Sequence, residues 1–147
     1  MSAMSDYLEN KLIDYVFRGQ TYTPPANTWI GLLTTGTTDA NTGQTEVSGG
    51  SYTRVGVVSS LLNWSGTQGT TANTASTGTS GTTYNITPIT FPAPTASWGV
   101  ITAFGMYDAA TGGNLLFYGS LTTAKTVNNG DAAPTFSATA LSIQLDN

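Results

Sequence analysis

The amino-acid sequence predicts a mainly β protein, a small β-sandwich or jelly-roll-like domain with one N-terminal α-helix. Three observations favour this fold class. A single helical pattern begins the chain at residues 6–18, and seven or so short apolar runs follow it, separated by turn residues. The length of 147 residues suits one domain over residues 1–147, with residues 28–147 as its β part.

The helix is predicted from its two ends and from its apolar arc. Asp6 and Glu9 place acids in the first turn in a capping arrangement, and Arg18 and Gly19 mark the last turn and the stop. The apolar side chains cover an arc of roughly 200°, wider than the stripe of an ordinary surface helix. Such a helix is either wedged into its own domain or packed partly against another subunit.

Strand patterns begin after the proline pair at 24–25, which prevents the helix from continuing. Strands are predicted at residues 28–34 and 51–58, with a long polar connection at 35–50 between them, and a further strand at 61–64.

Residues 65–83 form a low-complexity arm rich in Thr, Gly and Ser, with no apolar side chain larger than alanine. Such a segment cannot offset its ordering entropy by burying its own side chains. We expect the arm to lie against this domain or against a neighbouring molecule, with a mobile linker as the alternative.

The hairpin at residues 98–121 is the strongest single pattern. Two apolar arms are joined by Gly112 and Gly113, and glycine supplies the positive φ that tight hairpin turns require. Because both faces of each arm are apolar, we expect the hairpin to be buried on both sides. Asp108 lies next to the turn, where a short acidic side chain bonds nearby backbone.

Shorter strands surround this hairpin. Pro88 indicates an edge strand or a break within residues 84–91. A short strand is predicted at 125–127, before a turn, and another at 141–145. In this last strand Leu141, Ile143 and Leu145 share one face.

The composition argues against catalysis. The chain has no histidine and no cysteine, so it lacks the usual general base, thiolate nucleophile and commonest metal ligands. No pair of carboxylates is seen to converge, and no glycine-rich phosphate loop opens a helix. We therefore predict a protein that is not an enzyme, with no cofactor and no metal. Asp39 and Asp131 are interpreted as turn residues rather than calcium ligands.

Charge and hydropathy exclude further classes of partner. Charged residues are 8% of the chain, against about 25% in typical soluble domains, and such a surface favours self-association or coverage by a partner. The only cations are Lys11, Arg18, Arg54 and Lys125, which form no basic patch, so a nucleic-acid partner is not expected. No apolar run is long enough to span a membrane, and no export signal is recognised at the N-terminus.

Six aromatic residues offer an alternative of another class, a carbohydrate-binding module. Most of them lie at alternating positions in apolar strands, which favours packing in the core and between the sheets. A row of rings on one exposed face would favour sugar binding. The six are Trp29, Tyr52, Trp64, Trp98, Tyr107 and Tyr118.

Nearly the whole chain resembles a family of small tailed-phage virion proteins, commonly labelled tail-fibre or virion structural proteins. The resemblance is carried, in the family's order, by YLENKLIDYVFRG, YTPPANTWIGLLTT, EVSGGSYTRVGV, ITFPAPTASWGVITAFGMYDAATGGNLLFYGSL, TVNNGD and LSIQLD. The arm at 65–83 is an insertion relative to the shorter relatives. The resemblance implies a structural component of the virion, made in the host cytoplasm.

Two virion roles follow from this resemblance. We expect a capsid decoration or cement protein that bridges major capsid subunits. The alternative is a tail or tail-fibre component involved in host attachment, with other tail proteins as partners. A homo-oligomer is expected in either role, with a homotrimer favoured. The predicted partner contacts are Tyr7, Tyr15, Phe17, Thr70, Thr71, Thr77 and Thr79.

Overall fold

The computed structural model describes residues 2–69 and 74–145 and confirms the mainly β class with one N-terminal helix. In these residues ten strands and one helix are formed. Their bounds are β1 (Ser2–Met4), α1 (Asp6–Phe17), β2 (Asn27–Thr35), β3 (Thr45–Glu46), β4 (Val55–Val58), β5 (Thr82–Tyr84), β6 (Ile89–Thr90), β7 (Gly99–Tyr107), β8 (Leu115–Val127), β9 (Thr135–Phe136) and β10 (Ser142–Gln144).

The strands form one large antiparallel sheet and two small ones. The large sheet has the order β1-β8-β7-β2-β3, and β4 pairs with the first half of β2. The small sheets are the pairs β5–β10 and β6–β9. The large sheet and the two small sheets all contribute side chains to the core. They include Ile30 and Phe104 of the large sheet and Ile89 and Ile143 of the small ones. This arrangement is a small β-sandwich.

The predicted hairpin is the centre of the large sheet. β7 and β8 pair in register around Gly105 and Tyr118. Residues 103–107 of β7 are all buried as expected, whereas Phe117 and Tyr118 of β8 are half-buried and Ser120 is exposed, so the second arm is not buried on both sides. β8 is longer than expected and includes the short strand predicted at 125–127.

Aromatic packing fills the space between the layers. The Tyr52 ring stacks on Phe91 at 6.3 Å and meets Trp98 edge-on at 5.3 Å. Phe136 packs edge-on against Phe91 and Phe104. The core-packing interpretation therefore agrees with the structure for Trp98, Tyr52 and Trp64, which belong to the core or pack against it. Tyr107 is buried, and Trp29 and Tyr118 are half-buried, but these three lie outside that core cluster.

Several strand predictions need correction. Residues 61–64 form a turn, joined to the rest by an isolated bridge from Trp64 to Asn85, because main-chain bonds from Asn63 and Trp64 return to Ser60. Only the last four residues of the run 51–58 form a strand. The run 84–91 breaks at Pro88 into the end of β5 and the separate β6.

The last strand is shorter than predicted. β10 ends at Gln144, and Leu145 is 59% exposed, although Leu141 and Ile143 are buried as expected. The helix cap also differs. Ser5, not Asp6, is the N-cap residue, since its hydroxyl accepts the Leu8 N–H at 3.3 Å.

The Thr-rich arm is fixed to its own domain at both ends. Ser65 is buried and its hydroxyl accepts the Tyr84 N–H at 3.0 Å, while Thr83 donates to the Ser65 carbonyl at 2.8 Å. The Gln68 amide bridges to the main chain of Ala75 and Thr77. Among residues 2–69 and 74–145, no helix is long and apolar enough to cross a membrane.

Candidate functional site

Helix α1 is anchored to the sheet at its N-terminal end. The Ser5 N–H donates to the Leu116 carbonyl at 3.0 Å, and the Ser5 hydroxyl donates to the Leu115 carbonyl. The Asp6 N–H donates to the carbonyl of Asp39 at 3.0 Å. Ser5 is buried, so these bonds are shielded from water and fix where the helix starts.

The rest of α1 is largely unpartnered. Leu8 is the only buried residue of the helix. Ile13, Val16 and Phe17 are 50%, 62% and 81% exposed, and their i, i+3, i+4 spacing places them together on one side. We call these three residues the outer face of α1. The wide apolar arc predicts that α1 packs against two neighbours. Its own domain is one of them and covers the helix at Leu8.

The three predicted helix residues do not form one surface. Tyr7 is half-buried near the anchored end, whereas Tyr15 is 57% exposed and Phe17 is 81% exposed at the free end. Side chains two positions apart in a helix are separated by about 200° of rotation about the helix axis. Tyr15 and Phe17 therefore point in nearly opposite directions, and only Phe17 belongs to the outer face.

Ile13 and Val16 were missed as site residues, although their spacing from Phe17 is visible in the sequence. A second exposed apolar cluster was also missed. Leu61 and Leu62 are 48% and 78% exposed in the turn that was predicted as a strand.

Two of the four predicted contacts on the Thr-rich arm, Thr77 and Thr79, lie outside the helix and the strands. Thr77 and Thr79 are exposed, and the Thr77 N–H donates to Gln68 at 3.0 Å. Thr70 and Thr71 lie outside the described residues. All four remain predictions.

Two charged residues of α1, Lys11 and Asp14, have a partner along the helix. Arg18 lies 3.4 Å from Asp14, with both side chains solvent-exposed, and the Lys11 ammonium lies 5.6 Å from the Tyr7 ring centroid. Exposed pairs of this kind contribute little to stability. The outer face itself carries no charged residue.

A polar cavity of about 310 Å³ lies beside the anchored end of α1. Asp6, Tyr7, Asp39 and Asn114 are among its lining residues. The pKa of the Tyr118 hydroxyl is raised above its ordinary value by partial burial and by nearby carboxylates, chiefly that of Asp39.

A buried ion pair fixes the hairpin turn that borders this cavity. The Arg54 guanidinium donates to both carboxylate oxygens of Glu46, at 2.8 and 2.7 Å, and to the carbonyls of Ala109 and Gly112 at 3.0 and 2.8 Å. Burial, the largest single influence, lowers the pKa of Arg54, but the hydrogen bonds and charge of Glu46 together with the nearby Tyr107 and Tyr52 hydroxyls leave that pKa raised above its ordinary value. This cluster is satisfied by its own members and holds the turn in place.

The acids considered as possible ligands serve their own turns. Asp108 accepts the Asn114 N–H and side-chain amide, both at 2.7 Å, and so closes the hairpin. Asp131 accepts the Asn128 N–H at 2.7 Å, and Asp39 accepts the Ala40 N–H at 2.8 Å. These bonds agree with their interpretation as turn residues.

One known protein family matches the chain over almost its whole length. The family described as podophage GP4 fiber I protein gp80 matches residues 3–144. The chain belongs to this family. The match spans α1 and all of the sheets, so the predicted resemblance to tailed-phage virion structural proteins is confirmed. A search of curated proteins gives no match.

Membership in this fibre I family makes the chain a component of the phage virion. The expected virion structural role is therefore confirmed. The name of the family fits the tail or fibre alternative better than the capsid decoration role that the sequence favoured.

Proposed function

We propose that the chain is a non-enzymatic structural subunit of the phage fibre apparatus, which docks onto another virion protein through the outer face of α1. The observation that carries this proposal is the exposure of Ile13, Val16 and Phe17 together on one side of an anchored helix. A single exposed apolar residue is ordinary, but three that share a helix face at half or more exposure favour a covered surface.

The anchored base of α1 supports this role. A docking element must keep its position relative to the particle, and the Ser5 bonds to Leu115 and Leu116 fix the helix against the central hairpin. Arg54 holds the turn of this hairpin through bonds to two of its carbonyls. The helix that carries the outer face is therefore held at its base, which reduces the entropy lost on binding.

The energy available from this face is modest for each copy. Complete burial of an exposed Val, Ile or Phe side chain stabilises a complex by about 1.5–3 kcal/mol. Docking through three such side chains is weak, and several copies on one particle would add their contributions. A homotrimer, the assembly favoured on sequence grounds, supplies such multivalency, and light scattering of the purified chain measures it.

The proposed role needs no catalytic group. The 147 residues contain no histidine or cysteine, and the most strongly buried charge, Arg54, already satisfies Glu46 and two turn carbonyls. The family name supports the fibre location in particular.

Incorporation into phage particles tests the proposal. Phage lacking this protein is complemented with the wild type, with Phe17→Asp or with Val16→Asp, and the purified virions are quantified by mass spectrometry. The matched control is Tyr15→Asp, which adds the same charge and removes an exposed aromatic side chain on nearly the opposite side of α1. We expect the first two variants to be lost from virions and Tyr15→Asp to be retained.

Circular dichroism of each purified variant separates docking from folding. Retained strand content together with lost incorporation supports the proposal. Normal incorporation of both Phe17→Asp and Val16→Asp contradicts it, and unfolding of Phe17→Asp would mean that Phe17 belongs to the core.

A particle reconstruction tests where the chain sits. Density at the tail or its fibres supports the fibre role, with other tail proteins as partners. Density on the shell between major capsid subunits supports capsid decoration instead. In that second case particles without the protein should assemble but lose DNA at lower temperature, with adsorption unchanged.

A further inference from the structure

An open groove runs along the second half of β8, where the sandwich opens between the large sheet and the segment around β9. Three neighbouring cavities of about 190, 140 and 410 Å³ form it, and the first shares lining residues with each of the other two. Leu121 and Phe136 line both of the first two, and Lys125 lines the first and the third. The groove therefore separates β8 from β9 and the segment around it.

The first cavity of this groove is apolar and reaches the core. The first cavity is lined by the core residues Leu32, Phe91 and Ile101, as well as by Leu121 and Phe136. A cavity of this kind is suited to an inserted apolar side chain.

The backbone of β8 beside the groove is free to pair. β1 covers β8 only at residues 117–119, and no other described strand pairs with its outer edge beyond Gly119. The register to β7 also shifts there, because Ala103 lies opposite Ser120 while Ile101 lies opposite Lys125. Residues 121–124 thus leave the regular ladder to β7 and have no partner in a described strand on either side. Unpaired main-chain groups of a strand accept an added strand.

Lys125 supplies the positive charge of the groove and lines two of its three cavities, whereas Asp131 lines only the third. Lys11 lies over the Tyr7 ring, Arg18 pairs with Asp14 and Arg54 pairs with Glu46. Among the described residues Lys125 has neither an aromatic partner nor a carboxylate within 4 Å. The other charged lining residue is Asp131, whose carboxylate accepts the Asn128 N–H.

We propose that this groove binds an extended peptide segment of another protein by strand addition to β8. One apolar side chain of the segment inserts between Leu121 and Phe136, and an acidic side chain on the same face of the segment pairs with Lys125. The free edge provides main-chain hydrogen bonds, the cavity provides the apolar anchor, and the charge selects an acidic partner. This inference does not depend on docking through α1.

A protective role for Lys125 is the competing explanation. Lysine on an exposed strand edge opposes edge-to-edge association with another copy of the same chain. The two explanations differ in what happens when the charge is removed: protection predicts self-association of the variant, and peptide recognition predicts loss of an acidic ligand.

The experiment uses the full chain and a set of capped eight-residue peptides. Each peptide contains one Glu and one Phe, two or four positions apart so that both lie on one face of a strand, with Thr elsewhere. Fluorescence polarisation measures binding to the wild type, to Lys125→Glu and to Leu121→Thr. Lys11→Glu is the matched control, because it makes the same charge change on α1, away from the groove.

We expect at least one peptide to bind the wild type with a dissociation constant below about 1 mM. Lys125→Glu should weaken the binding of that peptide about tenfold and should bind more tightly the peptide in which Lys replaces Glu. Lys11→Glu should leave the affinities for both peptides unchanged. Leu121→Thr should abolish binding with its circular dichroism spectrum intact. Hydrogen exchange should slow at residues 121–126 when the peptide is bound.

Three results overturn the proposal. They are the absence of saturable binding by any peptide, equal affinity for Glu and Lys peptides in both the wild type and Lys125→Glu, and self-association of Lys125→Ala in place of any effect on peptide binding. If Leu121→Thr fails to fold, the charge exchange at the exposed Lys125 decides the question.

Discussion

The Arg54 guanidinium lies 3.4 Å from the centroid of the Tyr107 ring and is sandwiched between that ring and its bonds to Glu46 and the hairpin turn. One buried side chain thereby joins β3, the central strand β7 and the β7–β8 turn. Its side chain is 7% exposed, against 26% for Glu46, so the pair is shielded mainly on the arginine side.

We expect Arg54→Ala to lower the free energy of unfolding by about 3 kcal/mol, because it leaves Glu46 without its partner in a partly buried site. Urea denaturation measures this loss. Arg18→Ala is the matched control, since its pair with Asp14 is exposed and 3.4 Å long, and it should cost less than about 1 kcal/mol. Equal losses in the two variants would contradict a structural role for Arg54.

The Tyr52 hydroxyl predicts a decline in stability at alkaline pH. Burial, reinforced by the Glu46 carboxylate, raises its pKa above the ordinary value of 10.0. In the unfolded chain Tyr52 loses its proton near pH 10 while the folded protein retains it. The contribution of Tyr52 to the free energy of unfolding is therefore complete below pH 10, and it declines as the pH rises above 10.

Tyr52→Phe tests this explanation. At neutral pH the variant should be less stable, because Tyr52 donates to Glu46 at 2.9 Å and accepts the Leu32 N–H at 2.8 Å. Between pH 10 and 11.5 the difference from the wild type should shrink, as measured by urea denaturation at each pH. A difference that stays constant over this range would show that Tyr52 does not cause the decline.

The two glycines of the hairpin turn should differ in their tolerance of a side chain. Both have positive φ, 59° at Gly112 and 71° at Gly113. A Cβ at Gly112 meets no atom within 4 Å, whereas one at Gly113 would lie 2.5 Å from the Asp108 carboxylate and 2.7 Å from Ala109 Cβ.

We therefore expect Gly112→Ala to cost about 1 kcal/mol from backbone strain alone, and Gly113→Ala to cost at least about 2 kcal/mol because Asp108 must also shift. Thermal unfolding of the two variants makes the comparison. The reverse order would mean that Asp108 does not close the turn as described.

Asn85 should be the most sensitive polar residue of the small sheets. It is fully buried, and its amide donates to the carbonyls of Thr87 and Ser137 at 2.9 and 2.8 Å while its oxygen accepts the Leu141 N–H at 2.9 Å. Asn85→Ala leaves the N–H of the buried Leu141 and the Thr87 carbonyl without this partner, while the Ser137 carbonyl still accepts the Ala140 N–H.

The expected loss for Asn85→Ala is about 3 kcal/mol or more. Asn63→Ala is the control, because the Asn63 amide bonds Val58 and Ser60 in a partly exposed turn, and about 1 kcal/mol is expected there. If Asn85→Ala is no more harmful than Asn63→Ala, water replaces the lost bonds.

Local patterns predicted the central strands well, because their signal is local. The glycine pair and apolar arms of the β7–β8 hairpin specify turn and burial within one stretch of chain. The pattern at 61–64 misled, since its two leucines resemble a strand but turn bonds to Ser60 decide its conformation. β1, β3 and β9 were missed because strands of two or three residues exist only through their partners.

The candidate site was predicted only in part, for a related reason. The width of the apolar arc of α1 indicated an extra neighbour, yet Tyr15 was grouped with Phe17 although two residues of a helix turn them to nearly opposite sides. The exposed fractions of Ile13, Val16 and Phe17 depend on where the rest of the chain lies, and no local pattern contains that information.

The sequence by itself determined the class of fold, the helix, the buried hairpin and the family of virion proteins. Each of these depends on residue types close together in the chain. The tertiary structure decided which side of α1 stays uncovered, how Arg54 reaches across to Glu46 and the turn, and where the sandwich is left open beside β8. These depend on contacts between distant residues, such as Arg54 with Gly112, whose formation is set by packing of the whole domain rather than by local preference.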